Sequence, residues 1–277
     1  MQPVPTWING SVDHQISPLD RGLLYGDGVF ETIAILNGEP RLLPLHFKRL
    51  NNACERLSIP LQFSLLESET ERFLSSCLQG QKASKAILKI ILTRGSGGRG
   101  YDPAHAQHPV RILQWHQFPD YPEDYAKEGV SVIFCQTPMA RNPLLAGMKH
   151  LNRLEQVLAR SEWQDASIQE GLMFDTEGHL IEGTMSNIFL VSKECLLTPD
   201  LSDCGVAGVM REQLMAVAKQ LGISCSSAKI SAAKLEAADE VFLTNSVFGI
   251  WPVKKINHRV CLPGPVTQLL QSNLFAV

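Results

Sequence analysis

Lys149 stands in the segment Leu145-Ala146-Gly147-Met148-Lys149-His150-Leu151-Asn152-Arg153-Leu154, an apolar, glycine-containing approach to a stretch of helical period. An ammonium packed among Leu, Ala and Met loses hydration, which lowers its pKa and leaves free amine near neutral pH. A free amine is the nucleophile that Schiff-base chemistry with a carbonyl requires. The competing reading is a lysine whose stem crosses apolar neighbours while its head reaches water. Glu182 lies in Leu180-Ile181-Glu182-Gly183-Thr184-Met185-Ser186-Asn187-Ile188-Phe189, an acid between apolar strand segments. It either meets a cationic partner there or sits in a solvated turn.

Three further features fit a bound phosphorylated cofactor. Gly205-Val206-Ala207-Gly208-Val209-Met210-Arg211 is a turn running into a helix start, where unpaired backbone N–H groups and the helix dipole favour an anion. It lacks the GK[ST] of a Walker A loop and could equally be a plain turn. Arg49 could add a charge-assisted contact to the same phosphate, although many helical arginines are simply solvated. Thr244-Asn245-Ser246, at the end of an apolar strand, offers hydroxyl and amide donors, and such residues also end strands for local reasons. A pyridoxal ring is an electron sink only while its nitrogen stays protonated, and Glu182 is the acid that could hold it so.

The chain that must position these groups has 277 residues, enough for two modest domains or one large one, with 44% hydrophobic and 19% charged residues. A net charge of −3 with both signs interspersed argues against nucleic acid or an anionic membrane surface as partner. No apolar run approaches transmembrane length, and Met1 to Gly10 lacks a basic-then-apolar leader. Cysteines 54, 77, 135, 195, 204, 225 and 261 form an odd, scattered set without a CxxC pair. That pattern suits a reducing compartment, speaks against a structural zinc site, and gives a cytoplasmic expectation with no metal.

Trp7 to Val12 carries an Asn-Gly hairpin signal, and Val29 to Leu36 reads as a strand apolar on both faces, turned back at Asn37-Gly38. Glu31 and Thr32 within that strand call for something polar to meet them, or for an edge position in solvent. Helices are expected over Pro44 to Leu57, Leu65 to Leu78, Asn152 to Trp163 and Gly208 to Leu221, with a short one closing the chain. Strands are expected over Ala86 to Thr93, Val110 to Gln114, Val130 to Cys135, Gly171 to Phe174, Leu180 to Glu182, Ile188 to Val191, Val241 to Asn245 and Ile250 to Ile256. The proline- and acid-rich stretch around Phe118 to Tyr125 suggests a linker. This divides the chain into a small N-terminal domain (1–117), a linker (118–126) and a larger C-terminal domain (127–277). Hairpins in both halves favour α+β over a doubly wound sheet.

Leu24-Tyr25-Gly26-Asp27-Gly28-Val29-Phe30-Glu31-Thr32, Gly147-Met148-Lys149-His150-Leu151-Asn152-Arg153-Leu154 and Glu182-Gly183-Thr184-Met185-Ser186-Asn187-Ile188-Phe189 occur in that order. Together with Gly205 to Arg211 and Phe242 to Val253, the set resembles the fold-type IV pyridoxal 5'-phosphate (PLP) enzymes. These include branched-chain and D-amino-acid aminotransferases and aminodeoxychorismate lyases. The loop Arg94-Gly95-Ser96-Gly97-Gly98-Arg99-Gly100-Tyr101 and the run Lys149 to Leu158 are similar to the lyase versions of these motifs.

The resemblance implies a two-domain D-amino-acid aminotransferase-like fold and a homodimer with active sites at its interface. It implies Lys149 as the Schiff-base lysine and Glu182 as partner of the pyridine nitrogen. Arg49, the backbone N–H groups of Val209 and Met210, and Ser246 would hold the phosphate. Thr32 would assist proton transfer, Tyr25 would line the pocket, and Arg99 and Tyr101 would reach a substrate carboxylate from the second subunit. The expected reaction converts 4-amino-4-deoxychorismate to 4-aminobenzoate and pyruvate, with D- or branched-chain amino-acid transamination as the alternative.

Overall fold

The computed structural model describes residues 4–79 and 85–274. The chain divides into two compact units. One holds the chain up to Pro119 together with Met148–Asn152, and the other holds Asp120–Gly147 and the chain from Arg153 onward.

The first unit is a six-stranded antiparallel sheet with helices. Its elements are β1 (Thr6–Ile8), β2 (Ser11–Val12), α1 (Arg21–Tyr25), β3 (Gly28–Leu36), β4 (Glu39–Pro40), α2 (Leu43–Leu57), α3 (Phe63–Leu78), β5 (Lys85–Thr93) and β6 (Val110–Gln117). The strand order is β2-β1-β6-β5-β3-β4. Both hairpin turns carry positive φ at two successive residues, 50° and 79° at Asn9-Gly10 and 55° and 83° at Asn37-Gly38. That is the twist-matched turn which Asn-Gly favours. On β3, Glu31, Ile33 and Ile35 are buried while Phe30 and Thr32 on the opposite face are half-buried. Helix α2 buries His46, Phe47, Leu50, Ala53 and Cys54 at helical spacing, and Pro44 lies in its first turn.

Strand β4 pairs with β3 only at Ile35 and Leu36, so it leaves the N-terminal half of that edge uncovered. The segment around Lys149 covers it. Phe30 N–H donates to Lys149 O at 3.0 Å, Leu151 N–H donates to Gly28 O at 3.0 Å, and Val29 and His150 form an antiparallel bridge. The helix expected from Asn152 begins only at Leu154, after the edge pairing that holds Lys149 to Leu151 in extended form.

The second unit contains α4 (Asp124–Lys127), β7 (Val130–Phe134), α5 (Leu154–Arg160), β8 (Glu170–Phe174), β9 (His179–Gly183), β10 (Asn187–Ser192), β11 (Cys195–Pro199) and α6 (Val209–Gln220). It continues with β12 (Cys225–Ala228), β13 (Ile230–Ser231), α7 (Ala232–Glu236), β14 (Glu240–Asn245), β15 (Gly249–Ile256), β16 (Arg259–Val260) and α8 (Pro265–Asn273). Its sheet runs β12-β11-β10-β14-β15-β7-β8-β9-β13, with β16 beside β15. The pairs β11–β12, β15–β7 and β7–β8 are parallel and the others antiparallel, an α+β arrangement. Val132, Leu172, Ile188, Leu190, Val241, Leu243 and Val253 form its core. Truncating any of the leucines there to alanine costs about 2–5 kcal/mol. Within the stretch 118–126, Tyr121 and Tyr125 pack edge-on against Trp251, with centroids 4.8 and 5.2 Å away. Among the described residues, no helix is long and apolar enough to cross a membrane.

Candidate functional site

In the first unit, the ammonium of Lys149 lies 4.4 Å from the centroid of the Phe30 ring. Phe30 and Thr32 alternate with Glu31 along β3, so Thr32 shares the sheet face that carries Phe30. Lys89, which sits directly across from Thr32 on β5, also approaches the Phe30 ring, at 5.8 Å. Lys149 and Thr32 are thus associated with one face of one strand.

The opposite face of β3 carries an ionic triad. Glu31, 1% exposed, accepts from Arg49 Nε at 2.8 Å and Nη2 at 2.5 Å and contacts His46 Nδ1 at 2.6 Å. Burial alone would raise the Glu31 carboxyl. The Arg49 charge, with hydrogen bonds from His46 and Arg49, outweighs it and brings the pKa down to about 2. Burial pushes the His46 imidazole below its ordinary value, against the pull of Glu31, and the positive charges of Arg49 and Lys149 push the same way. The polar group that Glu31 requires is therefore a helix-borne arginine and histidine. Arg49, expected at a phosphate, spends two of its three nitrogens on Glu31.

Tyr25, Arg99 and Tyr101 also lie in the first unit. Tyr25 and Tyr101 meet ring to ring at 5.3 Å, although Tyr101 is 83% exposed. Arg99 is exposed on the same loop.

In the second unit, Glu182 is 4% exposed on β9, and its Oε2 accepts from Val206 N–H at 2.8 Å and Asn187 Nδ2 at 3.4 Å. Asn187 also donates to Val206 O at 2.9 Å. The Gly205–Gly208 turn is thereby tied to the carboxylate strand. A Cβ on Gly208 would fall 1.9 Å from Asn187 Oδ1, so a larger residue there would displace the Asn187 amide from Glu182 and Val206. Immediately after it, Val209 and Met210 open the 12-residue helix α6, whose cap position has no side-chain hydrogen bond. First-turn amides of this kind are the anion-binding feature expected at a phosphate. Ser246 follows β14, beside Asn245, whose Nδ2 donates to Met185 O at 3.2 Å.

Glu170 and Asn187 escaped the sequence reading. Glu170, 1% exposed on β8, accepts from Gly171 N–H, Thr184 N–H and Oγ1, Met185 N–H and Ser186 Oγ, at 2.5–3.1 Å. It holds the turn that joins Glu182 to Asn187. Burial raises its pKa despite the bonds from Thr184 and Ser186. The available signal was an acid opening a strand of otherwise uncharged residues, Glu170-Gly171-Leu172-Met173-Phe174.

The donor set suits a pyridoxal phosphate. By chemical type each unit carries groups that such a cofactor takes: an amine in the first, and a buried carboxylate with first-turn helix amides in the second. The chain belongs to the class IV aminotransferase family, whose model matches residues 28–256. It is 35% identical over 272 residues to an aminodeoxychorismate lyase of Vibrio harveyi, spanning 97% of this chain and 98% of that protein. The crystal structure of 4-amino-4-deoxychorismate lyase from Pseudomonas aeruginosa matches with a TM-score of 0.92 at 47% identity, over 97% of each chain. A D-alanine aminotransferase of Bacillus licheniformis is 29% identical over 259 residues, covering 92% of this chain and 89% of that one.

Proposed function

We propose that this protein is a PLP-dependent lyase converting 4-amino-4-deoxychorismate to 4-aminobenzoate and pyruvate, a step of folate synthesis. The observation that carries the reading is the end-to-end likeness to lyases both in sequence and in fold, at 35% and 47% identity. The half-buried Thr32 on the β3 face that carries Phe30, the ring approached by the Lys149 ammonium, supports it further.

The bound cofactor supplies an aldehyde that links covalently to amines and a cationic ring that accepts an electron pair. Lys149 would hold the cofactor and, as a free amine, would take the proton from the substrate carbon bearing the amine. The C–O bond to the enolpyruvyl group then breaks and the substrate ring becomes aromatic. Lys149 or Thr32 returns a proton to the leaving group to give pyruvate. Glu182 would keep the ring nitrogen protonated, and Val209, Met210, Arg49 and Ser246 would hold the phosphate. Tyr25 lines the pocket, while Arg99 and Tyr101 orient the substrate through a carboxylate, and orientation alone can lower a barrier by several kcal/mol.

The working form in this reading is a cytoplasmic homodimer in which Arg99 and Tyr101 serve the neighbouring subunit. Its supports are the seven free thiols and the exposed apolar stripe Leu154, Val157 and Leu158 on α5. Sedimentation of a fully active monomer would refute the dimer.

The deciding experiment offers aminodeoxychorismate to purified protein without a keto-acid acceptor. Pyruvate should appear in stoichiometric amount with 4-aminobenzoate. Turnover of D-alanine or branched-chain amino acids with a keto acid, and none of aminodeoxychorismate, would overturn the lyase in favour of a transaminase.

A further inference from the structure

The loop that carries Arg99 and Tyr101 is wrapped around one buried guanidinium. Arg21, at the start of α1 and 4% exposed, donates from Nη1 to Gly100 O at 3.1 Å and Asp102 O at 3.3 Å, and from Nη2 to Tyr101 O at 2.9 Å. Its Nε donates to Asp27 Oδ2 at 2.9 Å, and its backbone N–H to Gly95 O at 2.9 Å. Three successive carbonyls converging on one planar donor fork define the path of the backbone, and a lysine, a point charge on a flexible stem, cannot reproduce that geometry.

Asp27 completes the clamp. It also accepts from Arg94 Nε at 2.7 Å and Nη2 at 3.0 Å, and Arg94 in turn reaches Leu57 O and Ser58 O, each at 2.8 Å. Burial acts to raise the Asp27 carboxyl, but the bonds from Arg94 and Arg21 hold it below its ordinary value. The loop is thus tied at its start through Arg94 and at its end through Arg21, with one carboxylate between them. The glycines allow the close wrap: Gly100 has φ of +76°, and a Cβ on Gly97 would stand 3.2 Å from Arg21 Cδ. The Arg21 guanidinium also lies 5.1 Å from the Tyr25 ring centroid, and Tyr25 meets Tyr101. A backbone held this firmly, beneath side chains left exposed, has lost its conformational entropy before any ligand arrives.

We propose that Arg21 is a positioning residue for substrate recognition, fixing through the carbonyls of Gly100, Tyr101 and Asp102 the direction in which Arg99 and Tyr101 are presented. This rests on the reading of Arg99 and Tyr101 as substrate contacts. The test uses full-length holoenzyme carrying Arg21→Lys, Arg21→Met, Arg99→Ala or both Arg21→Lys and Arg99→Ala. Amide hydrogen exchange over residues 97–102 should quicken in both Arg21 variants, with the cofactor absorbance unchanged. The KM for aminodeoxychorismate should rise about tenfold or more, with kcat within a few-fold of the parent. The double variant should lose less than the sum of the two single losses, because Arg21 acts in part through Arg99.

Unchanged exchange in Arg21→Lys and Arg21→Met overturns the clamp. Faster exchange with unchanged KM, while Arg99→Ala raises KM, overturns the positioning role alone. An unchanged KM in Arg99→Ala instead overturns the substrate reading beneath it, with exchange reporting separately on the clamp. Loss of cofactor and of thermal stability in both Arg21 variants would make Arg21 a residue of the fold and not of recognition.

Discussion

Arg49 grips Glu31 at two points, Nε to Oε1 at 2.8 Å and Nη2 to Oε2 at 2.5 Å, joining helix α2 to the central part of β3. The fork geometry gives direction as well as charge. Removing the acid leaves a guanidinium with 12% side-chain exposure facing a neutral strand. Glu31→Ala should destabilise the protein by about 3–5 kcal/mol, read from urea denaturation monitored by tryptophan fluorescence. A change below about 1 kcal/mol would mean that the pair contributes little beyond a surface contact.

The same triad sets an acid limit. The Glu31 carboxyl titrates at about 2 in the folded chain against an ordinary 4.5, so its stabilisation is complete above 4.5 and disappears as pH falls towards 2. His46 is also depressed, from 6.5, so folding loses support as pH drops below 6.5 and the buried ring is driven to charge. Thermal midpoints should fall on acidification in two stages, and Glu31→Gln should flatten the lower one. An identical slope in that variant would assign the acid transition to other groups.

Lys149→Ala should abolish the absorbance of the covalently held cofactor and nearly all turnover. Its backbone contacts to β3 do not involve the side chain, so the thermal midpoint of the cofactor-free protein should stay within a few degrees of the parent's. Persisting activity with the chromophore intact would remove the lysine from the chemistry.

Thr32→Gly should retain cofactor and slow pyruvate release. If single-turnover traces for the variant and the parent superimpose, proton return belongs to Lys149 alone.

Glu170→Gln places an amide NH2 among five donors, so its nitrogen must now face groups that donate as it does. The expected cost is about 1–3 kcal/mol, with the Gly183–Ser186 turn loosened in hydrogen exchange. Equal stability would indicate that the carboxyl is protonated in the native state and already donates.

Periodicity carried much of the fold. The spacing of Phe47, Leu50 and Cys54 announced α2, the Asn-Gly turns announced both hairpins, and Gly208 followed by Val209 announced the start of α6. Short polar strands such as Cys225–Ala228 carry no such signal, since their hydrogen bonds come from neighbours and not from a buried face. The need of Glu31 for a polar neighbour was readable, whereas which residues met it depended on helix α2 folding back over β3. Arg21 was silent because its acceptors are main-chain oxygens 79–81 residues away, and carbonyls have no identity in a sequence.

The excursion of Met148–Asn152 into the first unit governs how this chain can be divided. The polypeptide passes between units at 119/120, 147/148 and 152/153, so no single cut yields two self-sufficient pieces. A fragment ending at Pro119 would expose the N–H of Phe30 and the carbonyl of Gly28 on a bare strand margin, open to pairing with any extended peptide. Its complement would carry Lys149 on a tether with nothing to dock against. Truncation is a poor route to isolated halves, whereas supplying the five residues in trans, or looping them onto the first fragment by circular permutation, respects the way the molecule is sewn.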